Sequence, residues 1–234
     1  MTQKYNVVVI GTGAAGAPVA QQCRKAGWSV AIIDSEPFGG TCALRGCVPK
    51  KVYTAAAEAM EWANRMDGKG IRKNSFAFDW ATLQQFKSTF TDPFPESRES
   101  GFREAGIDTY HGRAQFISEN KLRINDDILQ GRHFVIASGS KPRPLGIPGE
   151  EYLTTSEEFL NLGLLPDQIV FIGGGYISLE FAHVAARAGA DVTVIHRGPK
   201  PLSHFDPDLV DLLLQASDEA GNIYVGRSEE EVRE

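Results

Sequence analysis

Two stretches of this chain carry the same glycine pattern, and together they leave few folds open. Val7-Val8-Val9-Ile10 runs into Gly11-Thr12-Gly13-Ala14-Ala15-Gly16, and 162 residues later Ile169-Val170-Phe171-Ile172 runs into Gly173-Gly174-Gly175-Tyr176-Ile177-Ser178. Each apolar run reads as a strand. Each is followed by a helix-length segment (17–26 and 179–188) that passes through Ala-Gly into a second strand, 29–33 and 191–195. Strand, glycine turn, helix, strand is the order of a dinucleotide-binding unit. The first glycine allows the tight turn, the second lets the main chain approach a pyrophosphate, and the third lets the helix pack closely on the strand. Ser178 stands in place of that third glycine in the second copy. The pyrophosphate then rests at the positive end of the helix. This marks Gly11, Gly13, Ala14, Ala15 and Gly16 as cofactor-binding positions in the first copy, and Gly173, Gly175, Tyr176 and Ile177 in the second.

The expected fold class is therefore α/β, with two Rossmann-like dinucleotide-binding domains built as three-layer sandwiches. The Gly- and Pro-rich stretch 139–149 is the candidate boundary, giving domains 1–145 and 146–234. Between the glycine motifs, 49–65 reads as a long helix, Thr91-Asp92-Pro93 as a helix start with proline in the first turn, and 132–138 as a strand. After the second motif come a helix near 207–220, a strand near 223–225, and an acidic end, 228–234, that reads as a solvated tail.

Composition narrows the function classes. Hydrophobic residues make up 42% and charged residues 23% of the 234, which suits a globular core rather than disorder. With 24 Lys+Arg against 30 Asp+Glu the net charge is −6, the opposite of a nucleic-acid footprint. No apolar run reaches the roughly 18 residues of a membrane span. The N-terminal segment leads directly into a strand, unlike a signal peptide. A soluble, cytoplasmic protein is expected.

The second strands indicate what each site would hold. An acid about 20 residues beyond the first glycine accepts an adenosine ribose hydroxyl. In the first copy this is Asp34, 23 residues after Gly11; the same offset from Gly173 lands on His196, with Arg197 and Lys200 following. A cationic cluster there suits a 2′-phosphate and so NADPH. The alternative is that these are ordinary surface charges.

Cys42 and Cys47 lie five positions apart in Gly39-Gly40-Thr41-Cys42-Ala43-Leu44-Arg45-Gly46-Cys47-Val48-Pro49-Lys50-Lys51, just after Asp34. Three cysteines are too few for a secreted disulfide scaffold of this size, and such a pair in a reducing compartment is more often catalytic or metal-binding than structural. A disulfide between them is feasible if a helix starts near Cys47, whose first turn would then stabilise a thiolate. A zinc site would need two more ligands at suitable spacing, and the five histidines are scattered, so no metal is expected. Cys23, within the first helix, reads as a small core residue.

At these residues the sequence resembles the pyridine nucleotide–disulfide oxidoreductases, the family of glutathione reductase, dihydrolipoamide dehydrogenase and mercuric reductase. The resemblance runs from the first glycine motif to about Leu213, and the Gly-Gly-Thr-Cys-x4-Cys-Val-Pro-Lys-Lys block is its most specific part. The Lys-Lys ending looks more like the glutathione reductase branch. The resemblance implies FAD in the first site and NADP(H) in the second, with reducing equivalents passing from NADPH through the flavin to a Cys42–Cys47 disulfide and on to a small disulfide substrate. It implies that Cys47 is the flavin-proximal thiol, that Cys42 attacks substrate, and that Lys50 lies near the flavin paired with Glu180. Tyr176 would cover the nicotinamide pocket. Gly40, Thr41, Gly112, Ala114 and the Ala137-Ser138-Gly139 turn match positions that line FAD. Family members continue into a C-terminal domain that makes the homodimer and carries the catalytic His and Glu. None of His111, His133, His183, His196 and His204 has that pattern, so the dimerisation domain is expected to be absent from this chain, read as an N-terminal portion. The competing expectations are a dinucleotide-binding fragment without turnover, and a lipoamide- or mercuric-reductase-like activity in the full-length protein.

Overall fold

Apolar runs that are buried on both faces become the inner strands of a parallel sheet. In a computed structural model, which describes residues 2–72, 76–219 and 223–226, the first such run is β1 (Thr2–Ile10), followed by α1 (Gly16–Lys25) and β2 (Val30–Asp34). Next come α2 (Gly40–Leu44), α3 (Cys47–Arg65), α4 (Trp80–Thr91) and α5 (Phe94–Glu104). Four strands follow: β3 (Asp108–His111), β4 (Gln115–Ser118), β5 (Lys121–Ile124) and β6 (Asp127–Ile136). The remainder is α6 (Ser156–Phe159), β7 (Gln168–Ile172), α7 (Tyr176–Arg187), β8 (Asp191–Ile195), α8 (Pro207–Glu219) and β9 (Ile223–Gly226).

The chain packs as two compact units, residues up to Lys50 with Lys87–Leu160, and Lys51–Phe86 with Asn161 onward. This division by packing differs from the one by motif at 145/146. Packing groups residues by proximity in space, whereas the glycine repeat groups them by chain order.

In the first unit the strand order is β3-β2-β1-β6-β5-β4. Strands β3, β2, β1 and β6 are mutually parallel, whereas β6, β5 and β4 form an antiparallel meander. Alternate residues of β1 and β2 feed two cores. Val7, Val9, Val30 and Ile32 pack with Ala17 and Ala20 of α1, Phe38, and Phe102 of α5. Tyr5, Val8, Ala31 and Ile33 pack with Leu122, Ile124 and Leu129 of the meander. Helices, parallel sheet and β-meander thus make three layers, as the fold class requires. Ala114 packs against the meander core and Cys23 against the helix-side core.

In the second unit β7, β8 and β9 form a parallel sheet in that order. One stripe of α7 is buried, including Leu179, Phe181, Ala182 and Val184, and Val192 and Val194 of β8 are fully buried. Val170 and Ile172 of β7 remain exposed at 57% and 49%.

Several local expectations need correction. Thr91 ends α4 and Pro93 is the N-cap of α5, so the proline in that helix's first turn is Pro95. The strand expected over 132–138 is the C-terminal part of a longer one, ending at Ile136, because β6 pairs along the whole of β1. Both motif helices begin earlier than expected, at Gly16 and Tyr176, since helical geometry starts inside the glycine loops. The acidic stretch 228–234 lies outside the described residues.

Candidate functional site

Two strands end in glycine turns, and the backbones of the two turns match closely. Gly11 N–H donates to Ile33 O at 2.7 Å, and Gly173 N–H donates to Ile195 O at the same distance. Both glycines have φ of 109°, a conformation costly for any residue with a Cβ. At Gly11 contact adds to the backbone demand, because a Cβ there would lie 2.1 Å from the carbonyl oxygen of Ala137. That approach, with Ala137 N–H donating to Ile10 O at 2.8 Å, brings the Ala137-Ser138-Gly139 turn against the first glycine loop. A Cβ at Gly16 would meet Gly11 O at 2.0 Å, which is the close helix–strand packing expected of the third glycine. Ala14 and Ala15 are exposed on the loop. Neither α1 nor α7 has a side-chain cap at its N-terminus, the positive helix end where an anion is favoured.

Asp34 ends β2 beside this loop. Its Oδ2 accepts from Thr12 N–H at 2.8 Å and Thr12 Oγ1–H at 2.6 Å, and its Oδ1 accepts from Glu36 N–H at 3.1 Å. A carboxylate has room for about four hydrogen bonds, so acceptor capacity remains for a ribose hydroxyl. Thr12 was not anticipated as a site residue. It is fully buried, and its Oγ1 also accepts from Gly39 N–H at 3.0 Å, joining the glycine loop, the acid and the start of the cysteine segment. Gly112 N–H donates to Asp34 O at 2.8 Å, which sets the 112–114 turn at the same strand end.

The cysteine segment is pressed onto the first glycine loop. Gly40, φ +68°, has space for a Cβ only 2.5 Å from the Cα of Gly13. From that contact α2 carries Thr41 and Cys42, with Ala43 buried as its anchor. Cys47 is the first residue of α3, where Lys50 N–H donates to Gly46 O at 2.9 Å as the first helical bond. It is exposed at the positive end of a 19-residue helix, the position where negative charge is favoured. Cys23, Cys42 and Cys47 are thiols in this structure. Lys50, one turn on, is partly buried. Arg45, between the cysteines, lies with its Nε 2.9 Å from Glu157 Oε1, an ion pair that sequence spacing did not reveal because the partner is 112 residues away.

In the second unit a cavity of about 820 Å³ is lined by Gly173, Gly174, Gly175, Tyr176 and the segment from His196 to Phe205. That size is typical of small-molecule clefts. Leu202 N–H donates to Gly174 O at 2.8 Å, and a Cβ on Gly174 would strike Pro201 at 2.7 Å and the His196 ring at 3.0 Å. The middle glycine therefore permits the cationic segment to fold over the loop. His196 Nδ1 accepts from Gly198 N–H at 3.2 Å, Arg197 is exposed, and Lys200 Nζ lies 2.6 and 2.7 Å from the two carboxylate oxygens of Asp211. Tyr176, which lines this cavity, and Ile177 are exposed at 59% and 43%. Tyr176 also lines a second cavity of about 730 Å³, with Glu180, Glu61, Trp62, His183 and Arg187. There Arg187 Nη1–H donates to His183 Nδ1 at 2.9 Å, and Ser217 Oγ lies 3.1 Å from His183 Nε2. Burial, followed by the Arg187 charge, lowers the His183 pKa, against the opposing attraction of Glu61. Sequence reasoning brought Glu180 and Lys50 forward as a pair; they belong to different compact units, with Glu180 partly buried on α7.

Fold and site together define a chain with two glycine turns of the strand–turn–helix–strand kind and a dithiol segment set against the first. Comparison with known proteins agrees: the profile of the pyridine nucleotide-disulphide oxidoreductase family matches residues 5–233, and the chain belongs to that family. It is 32% identical over 209 residues to a glutathione reductase of Burkholderia cepacia, covering 88% of this chain and 46% of the relative. It is 31% identical over 216 residues to a dihydrolipoyl dehydrogenase of Chlamydia muridarum, covering 89% and 46%. A mercuric reductase of Bacillus cereus is 29% identical over 235 residues, covering 98% and 37%. Among solved structures, the Cu(II) complex of the HOCl-induced flavoprotein disulfide reductase RclA from Escherichia coli superposes with a TM-score of 0.83 at 28% identity, covering 96% of this chain and 49% of that one. The chain spans about half the length, or less, of these relatives. Among the described residues no helix is long and apolar enough to cross a membrane.

Proposed function

We propose that this chain is the dinucleotide- and dithiol-bearing portion of an FAD-dependent NAD(P)H:disulfide oxidoreductase. One observation carries the reading: Gly40 backs directly onto Gly13, which stations the Cys42–Cys47 segment on the glycine loop that would cradle a dinucleotide. The groups at that loop fit FAD. Gly11 and Gly16 close the turn against backbone, Gly13 would let the main chain approach a pyrophosphate, Asp34 retains acceptor capacity for a ribose, and Thr41, Gly112, Ala114 and the Ala137-Ser138-Gly139 turn would line the remainder. When bound, FAD supplies two-electron chemistry between a nicotinamide and a dithiol.

The chain's own residues would do the thiol work. Cys42, as thiolate, attacks one sulfur of a small disulfide; a mixed disulfide forms and the other substrate sulfur leaves as a thiolate. Cys47, at the positive end of α3, then attacks the Cys42 sulfur, closing an intramolecular disulfide and releasing the second substrate thiolate. Each departing thiolate takes one proton, and the two electrons gained by the substrate come from the dithiol. Lys50 would place positive charge near the flavin, and Tyr176 would cover the nicotinamide pocket. The second crevice would take NADP(H) through His196, Arg197 and Lys200. The full-length protein would be a cytoplasmic homodimer with a role in cell redox homeostasis, acting on a glutathione-like disulfide.

The test is spectroscopic. FAD-reconstituted chain, titrated anaerobically with NADPH, should lose its visible flavin absorbance and develop a long-wavelength charge-transfer band. Cys47→Ser should lack that band, while Cys42→Ser should keep it. A band that survives in Cys47→Ser assigns the wrong sulfur, and failure to retain FAD overturns the reading of the first crevice.

A further inference from the structure

The second crevice has three cationic candidates on the segment between β8 and α8, and the structure gives them unequal freedom. His196 has its Nδ1 taken by Gly198 N–H at 3.2 Å, which leaves Nε2 as the ring atom free to donate. Arg197 is exposed to solvent. Lys200 lines the cavity, but its ammonium sits 2.6 and 2.7 Å from the two oxygens of Asp211, in the second turn of α8.

We propose that Asp211 sets the selectivity of this crevice between adenosine carrying a 2′-phosphate and adenosine carrying a 2′-hydroxyl, by competing for Lys200. The proposal rests on the reading of the crevice as a dinucleotide site. Its logic is electrostatic. A 2′-phosphate carries close to two negative charges and wants a free ammonium. In this arrangement it must draw Lys200 away from a carboxylate, and that carboxylate, left nearby, repels it. A 2′-hydroxyl carries no charge and is indifferent to both effects. Both side chains of the pair are about half exposed, at 45% and 55%, so the ion pair is exchangeable and the restraint is graded rather than absolute. Arg197 and the His196 Nε2–H would provide the basal attraction, and Asp211 would hold the third cation in reserve.

The experiment measures dissociation constants of the full chain for two probes, 2′,5′-ADP and 5′-AMP, by calorimetry. Asp211→Asn should tighten 2′,5′-ADP by about threefold to tenfold and move 5′-AMP by less than about twofold. In a Lys200→Gln background the same substitution should move the ratio of the two affinities by clearly less, because only the direct repulsion by the carboxylate is then left to remove. Three results would overturn the proposal. If both probes bind and the ratio is unmoved by Asp211→Asn, Asp211 has no such role while the dinucleotide reading stands. If the ratio moves equally in the Lys200→Gln background, Asp211 acts by its field alone and not through Lys200. If neither probe binds any folded variant, the reading of the crevice itself fails and takes the proposal with it.

Discussion

Replacing Thr12 by valine removes one hydroxyl and keeps the shape of the side chain, so the cost can be worked from what that oxygen does. Thr12 is fully buried. Its Oγ1 donates to Asp34 Oδ2 at 2.6 Å and accepts from Gly39 N–H at 3.0 Å. Gly39 is buried, with φ of +138° and a Cβ position 2.9 Å from Phe94, so its amide is held in place and cannot turn to find water. Leaving that N–H unpaired costs about 1–3 kcal/mol. The lost bond to Asp34 costs less, because the carboxylate is partly exposed and keeps Thr12 N–H at 2.8 Å. Together about 2–4 kcal/mol of stability should go, a large share of the roughly 5–15 kcal/mol available to a domain. Thr12→Ser retains the oxygen and loses one methyl, which should cost about 1 kcal/mol. Urea unfolding of the three proteins gives the energies, and amide exchange at Gly39 reports the particular bond. The reasoning is refuted if the valine variant is as stable as the serine variant, or if Gly39 stays equally protected in both.

Glycine-to-alanine substitutions should separate sites where the fold demands a bare Cα from those where it does not. Gly40→Ala drives a Cβ to 2.5 Å from Gly13 Cα at φ +68°; it should cost about 2–4 kcal/mol and loosen FAD retention, read by thermal melting and flavin fluorescence. Gly101→Ala, in the exposed part of α5 with open space around it, should instead stabilise by about 0.5–1 kcal/mol, and a loss there would show that α5 packs differently. His183 predicts an acid response. Burial and Arg187 hold its pKa below the ordinary 6.5, so the unfolded chain binds the proton more readily than the folded one. Its contribution to stability is complete above 6.5 and declines as pH falls from there toward the lowered folded value. His183→Gln should flatten that part of the stability–pH curve, and an unchanged slope would assign the acid sensitivity to another group.

Local periodicity made much of this fold legible in advance. Strands β1, β2, β7 and β8, helices α1 and α7, and both glycine turns follow from short-range patterns, because a turn that needs positive φ and a helix that buries one stripe write those needs into neighbouring residues. The body of α3 is readable from residue 49 onward, whereas its start two residues earlier, at Cys47, which places a thiol at a helix N-terminus, enters the sequence reading only as a condition for the disulfide. The most specific part of the family resemblance is one such local block.

What the amino-acid order alone determined is which segments turn, coil and extend, and which side chains can do redox chemistry. Tertiary structure decided who meets whom: Thr12 bridging Asp34 and Gly39, Gly40 seated on Gly13, Arg45 beside Glu157, Lys200 held by Asp211, and residues 51–86 packing with the second unit. None of these contacts has a periodic signature. Hydrogen bonds and ion pairs between separate elements depend on where the hydrophobic layers settle, and polar residues at such positions look in sequence like any surface residue. Dihedral preference is set within a few residues along the chain; charge pairing is set by distance in space.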